Sequence, residues 1–345
     1  MRAAVFQGRG RGHRIERLPE PVPGEGQVII RVMRSGICGS DISFTAAPGL
    51  GEPDYPGINA TFAPGVVLGH EYAGEVVALG AEVDRLKLGD RIAPMPISSC
   101  GHCLSCLSGL PNSCGSAGSQ MGGFGQYALA SDALSVRFVT PLSWDECALV
   151  EPMAASLHAT ALAGITAGAR ILVVGAGVMG LGIVYFARRM GAGPIAAVAR
   201  SDGRAGLARL MGADHFLKQG EDLPPRSTEA LGGMPDIVFD TAGVAGVIDQ
   251  AVLCVRRAGM VVAAALPLMP DKVHHIPAAF KEVRIQYAMA YSLEEFRTTA
   301  RILSEENVPL RHLATDTVGL DAFPDRFEAL RTSTGQCKVL LDPWA

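Results

Sequence analysis

The sequence predicts an α/β chain of two domains, one built on a doubly wound parallel sheet and the other rich in strands and glycine. Three observations carry that expectation. The 345 residues exceed the size at which one hydrophobic core keeps growing. Residues 169–192, ARILVVGAGVMGLGIVYFARRMGA, run from a β-branched strand through a glycine-marked turn into an apolar helix. Beyond them PIAAVA, HFLK, DIVFD, GMVVAAALP and VRIQYAMA read as strands, with helices through AGLARLMGA and VIDQAVLCVRR and a polar segment between HFLK and DIVFD. That alternation is the signature of βαβ units.

Composition bounds the function. Charged residues make up 19% of the chain and hydrophobic ones 48%, with 41 glycines, which suits a large core with many tight turns. A net charge of -4 without blocks of like charge argues against a nucleic-acid or anionic-membrane surface and for a small-molecule partner. The opening MRAAVFQGRGRGHRIERLP lacks the apolar core of a secretory signal, and the most apolar stretches are glycine-studded or too short for a bilayer of about 30 Å. A soluble, cytoplasmic protein is expected.

Taken in chain order, the first chemistry-bearing stretch is SGICGSDIS, which places Cys38, Ser40 and Asp41 in a turn after the strand-like VIIRVMRS. A long proline- and glycine-rich connection follows, in which Phe44, Tyr55, Ile58 and Phe62 either line a pocket or pin the loop to its domain. His70 and Glu71 come next, after a glycine in VLGHEYAGEVV. Glu151, in ALVEPMAASLHATA, precedes a proline that begins a helix. A thiolate, an imidazole and one or two carboxylates together make a zinc site with a replaceable fourth ligand, the arrangement of a catalytic metal. Singly, Cys38 reads more often as a small buried hydrophobe and His70 as a satisfied core histidine; their combination with the glycine turn reverses that.

Between these pieces lies a lobe at about residues 95–115 with Cys100, Cys103, Cys106 and Cys114 spaced C-x2-C-x2-C-x7-C. In a reducing compartment this spacing reads as metal binding, and four thiolates closing a tetrahedron leave no open position, so this zinc is structural. The remaining Cys147, Cys254 and Cys337 fall in apolar patterns and read as small buried residues.

The glycine turn carries Gly175, Gly177 and Gly180, with Val178 opening the helix, a spacing that lets a pyrophosphate approach the backbone at a helix N-terminus. About 20 residues on, an NAD site usually has a carboxylate. Here VARSDGR offers Arg200, Ser201 and, one turn later, Arg204, a guanidinium and hydroxyl set suited to a 2′-phosphate. NADP(H) is therefore expected over NAD(H). Asp202 falls on the following helix, too late for the ribose.

With GICGSD, GHE, the four-cysteine lobe, the EP-containing helix, the GxGxxG turn and a closing GQCKVLL, the chain resembles the zinc-dependent medium-chain dehydrogenases/reductases over essentially its whole length, in the branch that includes sorbitol, threonine and secondary-alcohol dehydrogenases. The resemblance implies a GroES-like, β-rich catalytic domain over residues 1–154, a Rossmann domain over 155–290 and a return to the catalytic domain over 291–345. It implies two zinc ions per subunit, a homodimer or homotetramer, and an alcohol or carbonyl substrate. By motif position it implies that Cys38 and His70 hold the catalytic zinc, with Glu71, Glu151 or a water completing the sphere. Ser40 matches the hydroxyl that hydrogen-bonds the substrate oxygen and starts a proton relay, its other reading being a helix cap, and Asp41 matches a residue that orients the site. The chain departs from the pattern at Ser43, where relatives often carry a relay histidine; His158 receives no catalytic role. The expected activity is NADP(H)-dependent interconversion of a secondary alcohol and its carbonyl. The alternatives are an NAD-dependent polyol or amino-alcohol dehydrogenase and a non-catalytic zinc and nucleotide binder.

Overall fold

The computed structural model describes residues 1–46, 61–140, 142–265, 267–268, 270–332 and 335–345; Tyr55 and Ile58 lie outside the described residues. The chain divides into two compact units, Met1–Ala154 with Tyr291–Ala345, and Ala155–Ala290.

In the unit Ala155–Ala290, six parallel strands lie side by side in the order His215–Lys218, Ile195–Ala199, Ile171–Val174, Ile237–Asp240, Met260–Ala263 and Arg284–Tyr287. Numbered along the chain this is 3-2-1-4-5-6, the doubly wound order in which a crevice opens at the carboxyl ends of strands 1 and 4. The apolar runs ILVV, IVFD and MVVA are buried at every residue, as strands covered on both faces must be. HFLK and RIQY, at the two edges, are partly exposed. The stretch expected as a polar segment instead contains the helix Leu223–Ala230. Its prolines stand in the first turn, where no intrahelical N–H is required, and Leu223 and Ser227 are buried.

The other unit centres on a mixed sheet in the order Ala314–Gly319, Lys338–Asp342, Gln27–Gly36, Glu71–Leu79, Arg91–Pro94 and Ser135–Arg137, with Tyr127–Ser131 also pairing with Gln27–Gly36. Only the first two strands pair in parallel; the remaining pairs are antiparallel. The chain thus returns after residue 290 to complete the sheet that its first strands began. One face of the unit buries Phe6, Phe124, Phe323 and Phe327, and a second cluster gathers Val28, Ile30, Val32, Tyr72 and Ile92. Phe44 stacks on Phe62 at 5.0 Å beside the first cluster, so of the two readings open for these rings the packing role is the one observed.

Cys147 and Cys254 are buried, whereas Cys337 is only half-buried. It stands just before the strand Lys338–Asp342, and its N–H donates to Thr315 Oγ1, which keeps it at the margin of the core. Among the described residues no helix is long and apolar enough to cross a membrane.

Candidate active site

The strand Gln27–Gly36 is followed by Ile37 and Cys38, and Cys38 is the N-cap of the helix Gly39–Phe44. Ser40 therefore lies inside the first turn and is not the cap. The Cys38 N–H donates to Asp41 Oδ2 at 3.0 Å, and the other carboxylate oxygen approaches His70 Nδ1 at 3.2 Å. One buried acid thus fixes both the turn that presents the thiol and the face of the imidazole. With Nδ1 turned to a carboxylate, Nε2 is the nitrogen left for a metal. Burial opposes protonation of His70, but Asp41 and Cys38 outweigh it and hold its pKa well above the usual imidazole value.

The donor atoms of Cys38, His70 and Glu71 all lie within 4.8 Å of one another, so a thiolate, an imidazole and a carboxylate from distant turns form one cluster. Such a mixed donor set fits zinc. Glu71 is nevertheless committed elsewhere. The buried Lys338 ammonium donates to Glu71 Oε1 at 2.7 Å and Oε2 at 2.5 Å, and to the Ile37 carbonyl at 3.0 Å. Gly36 makes room for that carboxylate: a Cβ there would stand 2.0 Å from Glu71 Oε2.

Glu151 is in the first turn of the helix Val150–Leu162 and accepts a hydrogen bond from the Tyr291 hydroxyl at 2.9 Å. Burial pushes its pKa up to about 7, with Glu71 adding to the rise and His70, Tyr291 and Lys338 countering it. It lies close enough to feel the cluster but outside the set of mutually close donors. His158 is further along the same helix and half-buried, and Ser43 is exposed.

The four lobe cysteines form the second cluster. Their sulfurs are separated by 3.6 Å for Cys100–Cys114, 3.6 Å for Cys103–Cys106 and 3.9 Å for Cys100–Cys106. A tetrahedron of four 2.3 Å zinc–sulfur bonds has edges of about 3.8 Å, so the cage already has the size of a zinc site, and these spacings are far beyond an S–S bond of about 2.05 Å. Hydrogen bonds, first from the backbone at Cys100 and then from Ser116, pull the Cys114 thiol down to about 5. The lobe is closed by the paired strands Ile97–Ser98 and Gly118–Ser119 and holds the helix Leu104–Leu107 and the turn Pro111–Ser113.

In the parallel-sheet unit, Gly175 takes φ +108° and the helix Val178–Arg189 starts just past Gly177. A Cβ on Gly180 would stand 1.9 Å from the Gly175 carbonyl oxygen, whereas one on Gly177 would meet only Arg204 Nη1 at 3.9 Å. Gly180 thus serves the close strand-to-helix packing, and Gly177 leaves open space before the helix N-terminus. Arg204 donates to the Ala176 carbonyl at 3.1 Å, which brings a cation to that turn. Arg200 and Ser201 follow the strand Ile195–Ala199 and are exposed, and Asp202 pairs with Lys218 at 2.8 Å.

Sequence reasoning missed Tyr291, Lys338 and Gly36. Lys338 carried a signal: a lysine inside the apolar run KVLL must find a buried partner or leave the strand. Tyr291 and Gly36 carried none, because their partners are fixed only by the fold.

The profile described as "Alcohol dehydrogenase GroES-like domain" matches residues 24–140, and that described as "Zinc-binding dehydrogenase" matches residues 178–305. Over 352 residues the chain is 31% identical to a sorbitol dehydrogenase of Bacillus subtilis (strain 168), with 99% of this chain and 97% of that one covered. The solved structure of 2R,3R-butanediol dehydrogenase from Bacillus subtilis superposes with a TM-score of 0.85 at 30% identity, covering 99% of each chain. A protein from Sinorhizobium meliloti 1021, described as a zinc-binding dehydrogenase and solved bound to NADP, superposes with a TM-score of 0.84 at 27% identity, again covering 99% of each chain.

Proposed function

Because the chain belongs to the zinc-type medium-chain alcohol dehydrogenases, we propose that it is an NADP(H)-preferring enzyme that moves a hydride between the nicotinamide and a secondary alcohol or carbonyl held at the Cys38–His70 centre. The family makes it an oxidoreductase of the alcohol and polyol type with a GroES-like region. The phosphorylated cofactor, the secondary alcohol and the residue roles are our reading. It rests on one observation, the convergence of thiolate, imidazole and carboxylate donors within 4.8 Å.

Zinc bound there supplies Lewis acidity, which polarises a carbonyl or makes an alcohol easier to deprotonate near neutral pH. The protein's own groups do the rest. Cys38 and His70 hold the ion, and Asp41 turns the imidazole so that Nε2 faces it. Glu71 is tied to Lys338. Glu151, which meets the Tyr291 hydroxyl, is the carboxylate better placed to exchange with water or substrate. A bound nicotinamide would supply the hydride acceptor, and Ser40 would relay the proton, its oxygen accepting from the substrate hydroxyl while its own proton passes on to solvent. The lobe cysteines hold the second, structural zinc of each subunit.

Cofactor choice rests on the residues just past Ala199. Arg200 and Ser201 are exposed where a ribose phosphate would be read, and Lys218 pairs with Asp202, the carboxylate that follows them in the chain. For the substrate, sorbitol and 2R,3R-butanediol, the compounds named for two relatives, both carry secondary hydroxyls. Association into a homodimer or homotetramer is supported by the edge strand Arg284–Tyr287, around which Ile276, Phe280, Tyr287 and Met289 are exposed.

The test is steady-state kinetics on a panel of secondary alcohols, polyols and amino-alcohols with each cofactor. NADP⁺ should exceed NAD⁺ in kcat/KM by at least about tenfold, and Arg200→Ala should erase most of that ratio. Equal use of both cofactors with an indifferent Arg200→Ala sinks the cofactor assignment and favours the NAD-dependent polyol reading.

A further inference from the structure

The connection between Cys106 and Cys114 does more than close the cage. Its Asn112 Nδ2 donates to the Tyr291 carbonyl at 2.8 Å, and its Gly109 carbonyl accepts from the Leu293 N–H at 2.9 Å. These two bonds bracket Tyr291 from a loop 179 residues earlier in the chain. Tyr291 is 5% exposed, and its ring stacks on Phe296 at 5.4 Å with an interplanar angle of 10°. Ser292 N-caps the helix Leu293–Glu305, its hydroxyl accepting from the Glu295 N–H, so the segment leaves Tyr291 straight into regular structure. Backbone, ring and following helix are thus all held. The one polar atom of the side chain, the hydroxyl, donates to Glu151 Oε1 at 2.9 Å.

Resting on the metal-centre reading above, we propose that the four-cysteine lobe positions Glu151 through Asn112 and Tyr291, so that the structural metal cage sets how well the Cys38–His70 centre binds its ion. The cage fixes the turn Pro111–Ser113; the turn fixes the Tyr291 carbonyl; the tyrosine places the carboxylate. Asn112 and Tyr291 are positioning residues and touch neither the ion nor the substrate. The Tyr291 hydroxyl is the donor that holds Glu151 Oε1, and without it the carboxylate can take other places around the centre.

The experiment uses the full chain with zinc in the lobe and cobalt(II) in the other centre. The cobalt absorption bands report coordination geometry, and competition with a chelator reports affinity. Asn112→Ala and Tyr291→Phe each keep the cage cysteines and the ring stack. Each should retain one lobe zinc per chain, bind cobalt about tenfold more weakly and shift its bands. The double variant should match the single ones, because both break the same chain of contacts, and Asn112→Gln, which restores a donor, should recover part of the loss. An Asn112→Ala protein with wild-type cobalt affinity and bands overturns the coupling, as does a double variant whose losses multiply. A wild-type protein that takes up cobalt in the lobe alone overturns the catalytic-metal reading and this inference together.

Discussion

At the scale of single residues, His13 shows what a polar ring costs inside an aromatic core. It is 9% exposed and packs against Phe6, Phe124, Phe323 and Phe327 at centroid distances of 5.5, 6.1, 5.5 and 4.4 Å, and among the described residues neither ring nitrogen has a hydrogen-bond partner. Burial lowers its pKa to about 4; Asp41 and Glu328 oppose that fall and Arg331 adds to it. The folded pKa lies below the unfolded value of about 6.5, so the unfolded chain takes up the proton first. The neutral ring's contribution is full above pH 6.5 and is lost as pH falls toward 4, to a total of about 3 kcal/mol. Urea unfolding of wild type and His13→Leu at pH 7 and pH 4.5 checks this. The wild type should lose about 2 kcal/mol more than the variant on acidification; equal losses would show that the ring is charged or solvated in the fold.

At the scale of elements, the strand–turn–helix proposed as the dinucleotide site separates two uses of glycine. Gly180→Ala forces a methyl into the Gly175 carbonyl and Thr241 Oγ1, at 1.9 and 2.8 Å, so the helix Val178–Arg189 must shift. A stability loss of about 1–3 kcal/mol and a loss of NADPH affinity together are expected. Gly177→Ala meets nothing closer than 3.9 Å and has an ordinary φ of -78°, so it should leave stability within about 1 kcal/mol while still weakening NADPH binding at least about tenfold. Fluorescence titration beside urea unfolding distinguishes the two; a Gly177→Ala protein with intact affinity would place the pyrophosphate elsewhere. This turn could be read from the sequence because its requirements are local: the strand, the three glycines and the apolar helix are contiguous. The helix Leu223–Ala230 could not, since its prolines and polar residues imitate a loop and only two of its side chains are buried. Cys38, His70 and Glu151 stood out as residue types able to hold a metal. What restrains the two glutamates did not, because Glu71–Lys338 spans 267 positions and Glu151–Tyr291 spans 140. Such pairs belong to the fold: Lys338 leaves a local mark as a charge in an apolar run, but nothing near it names its partner.

At the scale of the whole molecule, the sheet order 3-2-1-4-5-6 leaves Arg284–Tyr287 as an edge that no other strand covers among the described residues. Tyr287 is 58% exposed, and Ile276, Phe280 and Met289 are 72%, 80% and 73% exposed. An unpaired edge beside large apolar side chains invites pairing with a second copy, and charge is the usual defence against it. Light scattering on the purified chain should give a multiple of 36.1 kDa, and Phe280→Glu with Met289→Asp should reduce it to a single chain. A wild type that already runs at 36.1 kDa removes this surface as the assembly face.

The strand Lys338–Asp342 lies between Gln27–Gly36 and Ala314–Gly319, and it brings Lys338 to Glu71. During synthesis these residues leave the ribosome after all of Ala155–Ala290. The parallel sheet of Ala155–Ala290 therefore emerges complete while the earlier sheet still waits for the strands Ala314–Gly319 and Lys338–Asp342. The charge that holds Glu71 arrives only with the tail, so a polypeptide cut short before residue 338 presents a carboxylate beside Cys38 and His70 with nothing to hold it back.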